Sequence, residues 1–275
     1  MTSIFNYQTF DVFLNKDTRT LKITLGKKCS SLTLETLFEL ESLLAWCISK
    51  VEISTIFIDS AYNTFSSGHN QDVLQSLNEK QLLKFNKKLQ KITQALSMLP
   101  QIIVVDLKSG AQNVGCELAI AADIRIAHKA CKIQFDHAKL GILPCSGGIS
   151  QLASIIGQAN TKNWLLTAKK VDITKLEQSG LVFESYTQDN RQEVINGLLD
   201  SINKQASISR IQTKLGISEN NRPQIDRMIE FENKIAKAAL IPQDWKESKP
   251  ESTMPAKSMK EAVKLTLIKN NNFPQ

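Results

Sequence analysis

The chain has 275 residues and a mass of 30.7 kDa, with 42% hydrophobic and 22% charged residues. These proportions exclude a wholly disordered chain, a collagen-like repeat and a coiled-coil rod. Lys and Arg exceed Asp and Glu by 34 to 27, and there are only three histidines. The length fits one large domain or a domain with an appendage. Most of the excess positive charge falls in residues 201–275. Such an excess suits an acidic small molecule, a nucleic acid, a membrane surface or mere solubility. The absence of a run of five or more basic residues argues against a dedicated nucleic-acid tail.

Residues 10–25 alternate in the manner of paired strands, with Asp17-Thr18 as the turn. Leu37, Leu40, Leu43, Leu44 and Cys47 recur at helical spacing, and Thr33 is a fitting N-cap. A β-branched run from Ile53 to Ile58 predicts a buried strand, followed by a polar loop to Asn70. Leu74 to Leu99 reads as one long helix with a Lys-rich face, stopped by Pro100. Gln101 to Leu107 is the next buried strand, and Ser109 to Gly115 a small-residue loop. Strands are expected at Ile124 to Ala127 and Lys132 to Phe135. Beyond residue 161 the pattern turns helical: Asn163 to Ala168, Lys175 to Ser179, Gln192 to Leu215 and Ile225 to Ala239. Pro242, Pro250 and Pro255 mark a loop before a last helix from Ser258 to Ile268. Strands alternating with helices predict an α/β class with parallel pairing.

Cys29, Cys47, Cys116, Cys131 and Cys145 are odd in number and form no Cys-x-x-Cys pair, which fits reduced intracellular thiols. No secretory leader and no apolar run of about 18 residues stands out, so a cytoplasmic protein is expected.

Three places could carry chemistry. Glu117 precedes the apolar run Leu118 to Ala122, and burial suits a carboxyl group to general acid or base work. Its position reads equally well as a helix-terminal carboxylate facing the dipole. Phe65-Ser66-Ser67-Gly68-His69-Asn70 follows a strand, so its backbone N–H groups could meet a ligand oxygen; alone, an ordinary turn explains it better. Asp136-His137 could move protons, although a lone pair of this kind is more often structural. His128, beside Lys129, reads as a surface residue. The chain has no Gly-x-Ser-x-Gly elbow, no metal-ligand spacing, no Walker A lysine and no dinucleotide glycine pattern.

Two segments sharpen this: Gly115-Cys116-Glu117-Leu118-Ala119-Ile120-Ala121-Ala122-Asp123-Ile124-Arg125-Ile126-Ala127 and Leu140-Gly141-Ile142-Leu143-Pro144-Cys145-Ser146-Gly147-Gly148. With residues 65–70 before them, and Leu165-Leu166-Thr167-Ala168 and Gly180-Leu181-Val182 after, they resemble the crotonase superfamily, the enoyl-CoA hydratase/isomerase family. The resemblance covers roughly Leu21 to Tyr186. It implies a spiral of ββα repeats in residues 1–200, with residues 201–275 as a helical extension that builds a homotrimer or a dimer of trimers.

The resemblance also implies an acyl-CoA or acyl-carrier thioester as substrate. Its carbonyl oxygen would sit between the backbone N–H groups of His69 and Val114. Ser30, Ser31, Ser66, Gly68 and Asn70 match substrate-lining segments. No separate cofactor or metal is implied, and no membrane partner is expected; RNA binding through the basic C-terminal region, known for some relatives of the family, has little support because that region lacks an aromatic-interleaved basic stripe. Two departures stand out. Asn113-Val114 stands where the family usually has a glycine pair, and a β-branched residue there restricts the backbone, so an oxyanion hole that is either altered or merely differently shaped is expected. The second glutamate of family hydratases falls at His137.

The leading expectation is therefore an enoyl-CoA hydratase-type lyase with Glu117 as acid/base and His137 as its partner, oriented by Asp136. Isomerisation, decarboxylation and thioester hydrolysis on the same fold are the alternatives, as is a non-catalytic acyl-CoA-binding homologue.

Overall fold

The computed structural model describes residues 2–3, 5–240 and 244–246. Strands β1 (Thr2–Ser3), β2 (Phe10–Asn15) and β3 (Thr20–Leu25) form an antiparallel edge, with Asn15 opposite Thr20 across the predicted turn. β3 then pairs in parallel with β4 (Thr55–Ser60), β4 with β5 (Ile102–Asp106), β5 with β7 (Ile124–His128), and β7 with β10 (Glu184–Tyr186). Side chains alternate across these strands. Ile56, Ile58, Ile103 and Val105 enter the main core, whereas Phe57, Val104 and Ile126 enter a second core on the other face. Burial on both faces explains why these strands read as continuous apolar runs.

A second, smaller layer runs beside this sheet. It contains β6 (Gly110–Gln112), β8 (Lys132–Gln134) and β9 (Val171–Asp172), extended by single bridges from Ser31 to Gly68 and from Ser66 to Ala111. Each turn of the chain thus makes a long strand, a short extended piece and a helix. The helices that follow are α1 (Leu34–Cys47), α2 (Gln71–Ser76) with α3 (Glu79–Met98), α4 (Asn113–Ile120) and α5 (Ser150–Thr167). This is the expected spiral of ββα repeats. It places residues 31, 68 and 111–113 side by side in successive turns, although they lie far apart in sequence.

Several elements differ from expectation. The helix expected over residues 74–99 is two helices. Asn78 caps α3 in a reciprocal capping box with Gln81, which ends the preceding turn. The loop expected at 109–115 contains β6, and α4 begins at Asn113. The strand expected at 53–58 lies two residues later, at 55–60. α5 starts at Ser150, well before Asn163, and tolerates a non-helical Gly157 at φ 76°. A short α6 (Ile173–Gln178) follows, capped by Asp172.

α7 (Arg191–Asn203) and α8 (Ser207–Ala239) account for the helical stretches expected beyond residue 191. Pro223 lies inside α8 rather than at an end, so the buried face on both sides of it outweighs the lost backbone bond. The Pro250–Pro255 loop, Pro242 and the helix expected at 258–268 fall outside the described residues. Among the described residues, no helix is long and apolar enough to cross a membrane.

α7 covers the second core and is locked by charge. Asp106, fully buried, accepts Tyr186 Oη at 2.6 Å, Arg191 Nε at 2.9 Å and Arg191 Nη2 at 2.6 Å. Arg191 also reaches Asp59 at 3.2 Å, where Lys22 lies at 3.1 Å. Removing one partner of a buried pair strands the other charge in the core. Arg191→Ala is therefore expected to lower unfolding free energy by about 3 kcal/mol or more, measured by urea denaturation. A loss below about 1 kcal/mol would show that the pair is replaceable by water.

Candidate active site

α4 is short and apolar, and its C-terminal carbonyls are gathered by one side chain. The buried Arg125 guanidinium donates to Ala122 O at 2.6 Å, Ile120 O at 3.3 Å and Ala119 O at 3.4 Å, while its Nε donates to Leu181 O at 2.6 Å. A cation at a helix C-terminus complements its dipole. This anchor fixes the helix that carries Val114 and Glu117, three residues apart and so on one face.

Glu117 is completely buried. Its Oε1 meets His137 Nε2 at 2.9 Å. Its Oε2 accepts backbone N–H bonds from Cys145 at 3.0 Å, Ser146 at 2.6 Å and Gly148 at 3.2 Å. A side chain at position 148 would lie 3.1 Å from the carboxylate and 2.6 Å from Pro144, so glycine lets this loop close down. The sequence-predicted partners Glu117 and His137 therefore do come together. They touch directly, with no gap between them.

His137 begins a 3-10 turn to Leu140 and is 1% exposed, and its Nδ1 has no hydrogen-bond partner among the described residues. Asp136, expected to orient that ring, turns elsewhere: its Oδ1 accepts Asn113 Nδ2 at 3.2 Å. The carboxylate that orients His137 is Glu117 itself. His128, by contrast, is half-buried, and its Nδ1 accepts Ala130 N–H at 3.0 Å.

The two expected oxyanion donors also converge. His69 N–H and Val114 N–H each point to one oxygen, at 2.8 Å. That oxygen is Oδ1 of Asn113, a buried residue held at φ +35°. Gly68, at φ +72°, is required here, because a Cβ would sit 1.9 Å from Asn113 Oδ1. The His69 ring packs on Phe85 at 4.6 Å. Burial first, then the neighbouring His137, pushes its pKa down to about 3, so the ring is neutral at ordinary pH.

The substrate-lining candidates form a tight patch beside these donors. Ser66 Oγ donates to Ser30 O at 3.1 Å and accepts Gly68 N–H at 3.0 Å. Ser30 Oγ and Ser67 Oγ lie 3.0 Å apart, and Ser31 bridges to Gly68. Ser30, Ser31 and Ser66 border a cavity of about 40 Å³, and Ser66 and Ser67 border another of about 310 Å³ with Lys132 and Lys170. Asn70 is engaged differently: its Oδ1 caps α2 by accepting Asp72 N–H at 2.9 Å and Val73 N–H at 3.3 Å.

Sequence reasoning missed Glu232. This fully buried residue of α8 accepts Ser150 N–H and Oγ at 3.1 Å each and Gly147 N–H at 3.2 Å. Two carboxylates, one on α4 and one on α8, thus hold the loop 145–150 from either side of it in sequence. Gln90 adds a third tie, donating to Cys145 O and, at 3.1 Å, to Asn233. The available signal was Glu232 lying on one helical stripe with the buried Ile229 and Ala236. Burial, then the nearby charge of Glu117, raises the Glu232 pKa to about 7.

Comparison with known proteins agrees with this geometry. A family model described as enoyl-CoA hydratase/isomerase matches residues 16–253. The chain belongs to the enoyl-CoA hydratase/isomerase family. It is 22% identical over 241 residues to a short-chain-enoyl-CoA hydratase of Clostridium acetobutylicum, covering 86% of this chain and 92% of that protein. It is 32% identical over 142 residues to an ethylmalonyl-CoA decarboxylase of Danio rerio, covering 50% of this chain and 47% of that one. The crystal structure of an enoyl-CoA hydratase from Bacillus halodurans superposes with a TM-score of 0.80 at 22% identity, covering 87% of this chain and 98% of that one. The last likeness establishes the crotonase fold.

Glu117 has a structural duty that can be separated from any chemical one. In Glu117→Gln the amide oxygen can face the three loop N–H groups while the NH₂ faces the His137 ring. That variant is expected to fold, at a cost of about 1–2 kcal/mol for the lost charge. Glu117→Ala leaves all four groups unpaired and is expected to cost about 3–5 kcal/mol. Chemical denaturation of both variants checks this; equal losses would mean that the loop finds other partners.

Glu232 also makes a pH prediction. Between about 4.5 and 7 the unfolded chain releases this proton while the folded chain keeps it, so stability falls as pH rises through that window. The contribution is about 3 kcal/mol. His69 acts oppositely from pH 3 to 6.5 but is common to wild type and Glu232→Gln. The stability difference between those two proteins is therefore expected to move in favour of the variant from pH 5 to pH 8. Parallel urea-denaturation profiles would contradict it.

Proposed function

We propose that this chain is an acyl-CoA thioester lyase of the enoyl-CoA hydratase type, adding water to an enoyl-CoA or removing it from the product. The observation that carries this reading is the convergence of His69 N–H and Val114 N–H on a single point, with Glu117 one helical turn after Val114. Two preorganised donors aimed at one point suit the oxygen of a thioester enolate, and one such donor is worth roughly 3–4 kcal/mol at comparable sites. The hydroxyl joins the β-carbon and a proton joins the α-carbon. Glu117 moves the proton to or from water, and His137 is its partner, each able to accept or donate. The substrate brings coenzyme A with it, and no further cofactor enters. The assembly expected of residues 201–275, a homotrimer or a dimer of trimers, belongs to the same proposal and draws on the helical course of α8.

A second reading has its own support. Both Glu117 oxygens are already bonded, and a histidine stands where family hydratases have their second glutamate. Decarboxylation, isomerisation or hydrolysis of an acyl thioester needs the oxyanion donors without a pair of glutamates, and a non-catalytic acyl-CoA-binding protein needs neither. The similarity to an ethylmalonyl-CoA decarboxylase supports the first of these.

The test is a panel of enoyl-, carboxyacyl- and saturated acyl-CoA thioesters, with products followed by mass spectrometry and isomers by NMR. Hydration of an enoyl-CoA is expected, and Glu117→Gln is expected to lower its kcat about 100-fold or more while remaining folded. Unchanged turnover in that variant would remove Glu117 from the acid/base role. Loss of carbon dioxide with no hydration would favour the second reading.

A further inference from the structure

The His69 and Val114 donors are not open. Each is already paired, at 2.8 Å, with the side-chain carbonyl oxygen of Asn113, one residue before Val114. The arrangement is built rather than incidental. Asn113 is 2% exposed, stands at a positive φ, has its Nδ2 held by Asp136, and fills the space opened by the missing side chain of Gly68.

We propose that Asn113 is an internal occupant of the oxyanion hole, which a ligand oxygen must displace and which selects for oxygens that carry negative charge. This rests on the reading of these donors as a thioester site. An amide oxygen accepts hydrogen bonds better than a thioester carbonyl, because nitrogen feeds more electron density into the carbonyl than sulfur does. A neutral thioester therefore gains little by exchanging with Asn113. An enolate or tetrahedral oxyanion forms charge-assisted bonds of about twice the strength and takes both donors. Binding energy is then expressed where charge develops rather than in the ground state. Asp136 is the positioning residue: it holds the amide so that Oδ1, and not Nδ2, faces the donors.

The test uses the full chain, Asn113→Gly, and a cinnamoyl thioester of coenzyme A, whose absorption moves to the red when its carbonyl is polarised. In the free wild-type protein, hydrogen exchange at the His69 and Val114 amides is expected to be slow, and in Asn113→Gly fast. The variant is expected to bind the probe at least about ten-fold more tightly and to show the larger red shift. Equal affinity with equal shift overturns the proposal. So does fast exchange of both amides in the wild type, a measurement that needs no variant. If neither protein binds the probe but the exchange difference holds, Asn113 does occupy the donors and the thioester reading of the site fails instead.

Discussion

A carboxylate with no exposure to solvent is stable only if its lost hydration is replaced, and that constraint organises the centre of this protein. Glu117 meets it with three backbone N–H groups and one imidazole. The three N–H groups belong to a loop that has no regular structure of its own, so the carboxylate helps to give that loop its shape. Glu232 repeats the arrangement from α8 and ties the end of the spiral to the same loop. The pair explains how a helix that begins ninety residues after Glu117 helps to shape the ground on which Glu117 stands.

The spiral supplies the other half of the site. Consecutive turns stack the ends of their short strands, so residues 68–69 and 113–114 meet at the level where the helices begin. Val114 N–H lies in the first turn of α4, where backbone donors lack internal partners, and His69 N–H lies just before the Asn70 cap of α2. In this chain both face Asn113. The glycine at 68 and the asparagine at 113 are therefore complementary: one withdraws its side chain, and the other fills the space and supplies the acceptor. The resemblance to the family is what led two donors to be expected there; the side chain of Asn113 is what occupies them.

Much of the framework was legible from local pattern. The hairpin, α1 with its Thr33 cap, and the buried strands near 55–60, 102–106 and 124–128 stand where apolar periodicity put them, give or take two residues. The failures share a cause. The capping box at Asn78, the early start of α5 and the short strand β6 depend on hydrogen bonds to partners that no apolar repeat signals. Glu232 escaped notice because a charged residue on an apolar helix face contradicts the pattern until its partners, two loop amides some eighty residues away, are known.

The shortage of histidine pointed to His69 and His137, and the motif around Glu117 led all three to be expected in one site. Residue order alone could raise that expectation, because these residues sit in short segments whose spacing is set along the chain. It could not determine direction. Only the tertiary structure decided that Glu117 and His137 touch, that Asp136 serves Asn113 rather than His137, and that Asn113 lies across the two amide donors. Apart from the bond between the neighbours Asn113 and Val114, those contacts join different turns of the spiral, and a hydrogen bond between turns depends on where the backbone passes, not on which residues are near in sequence.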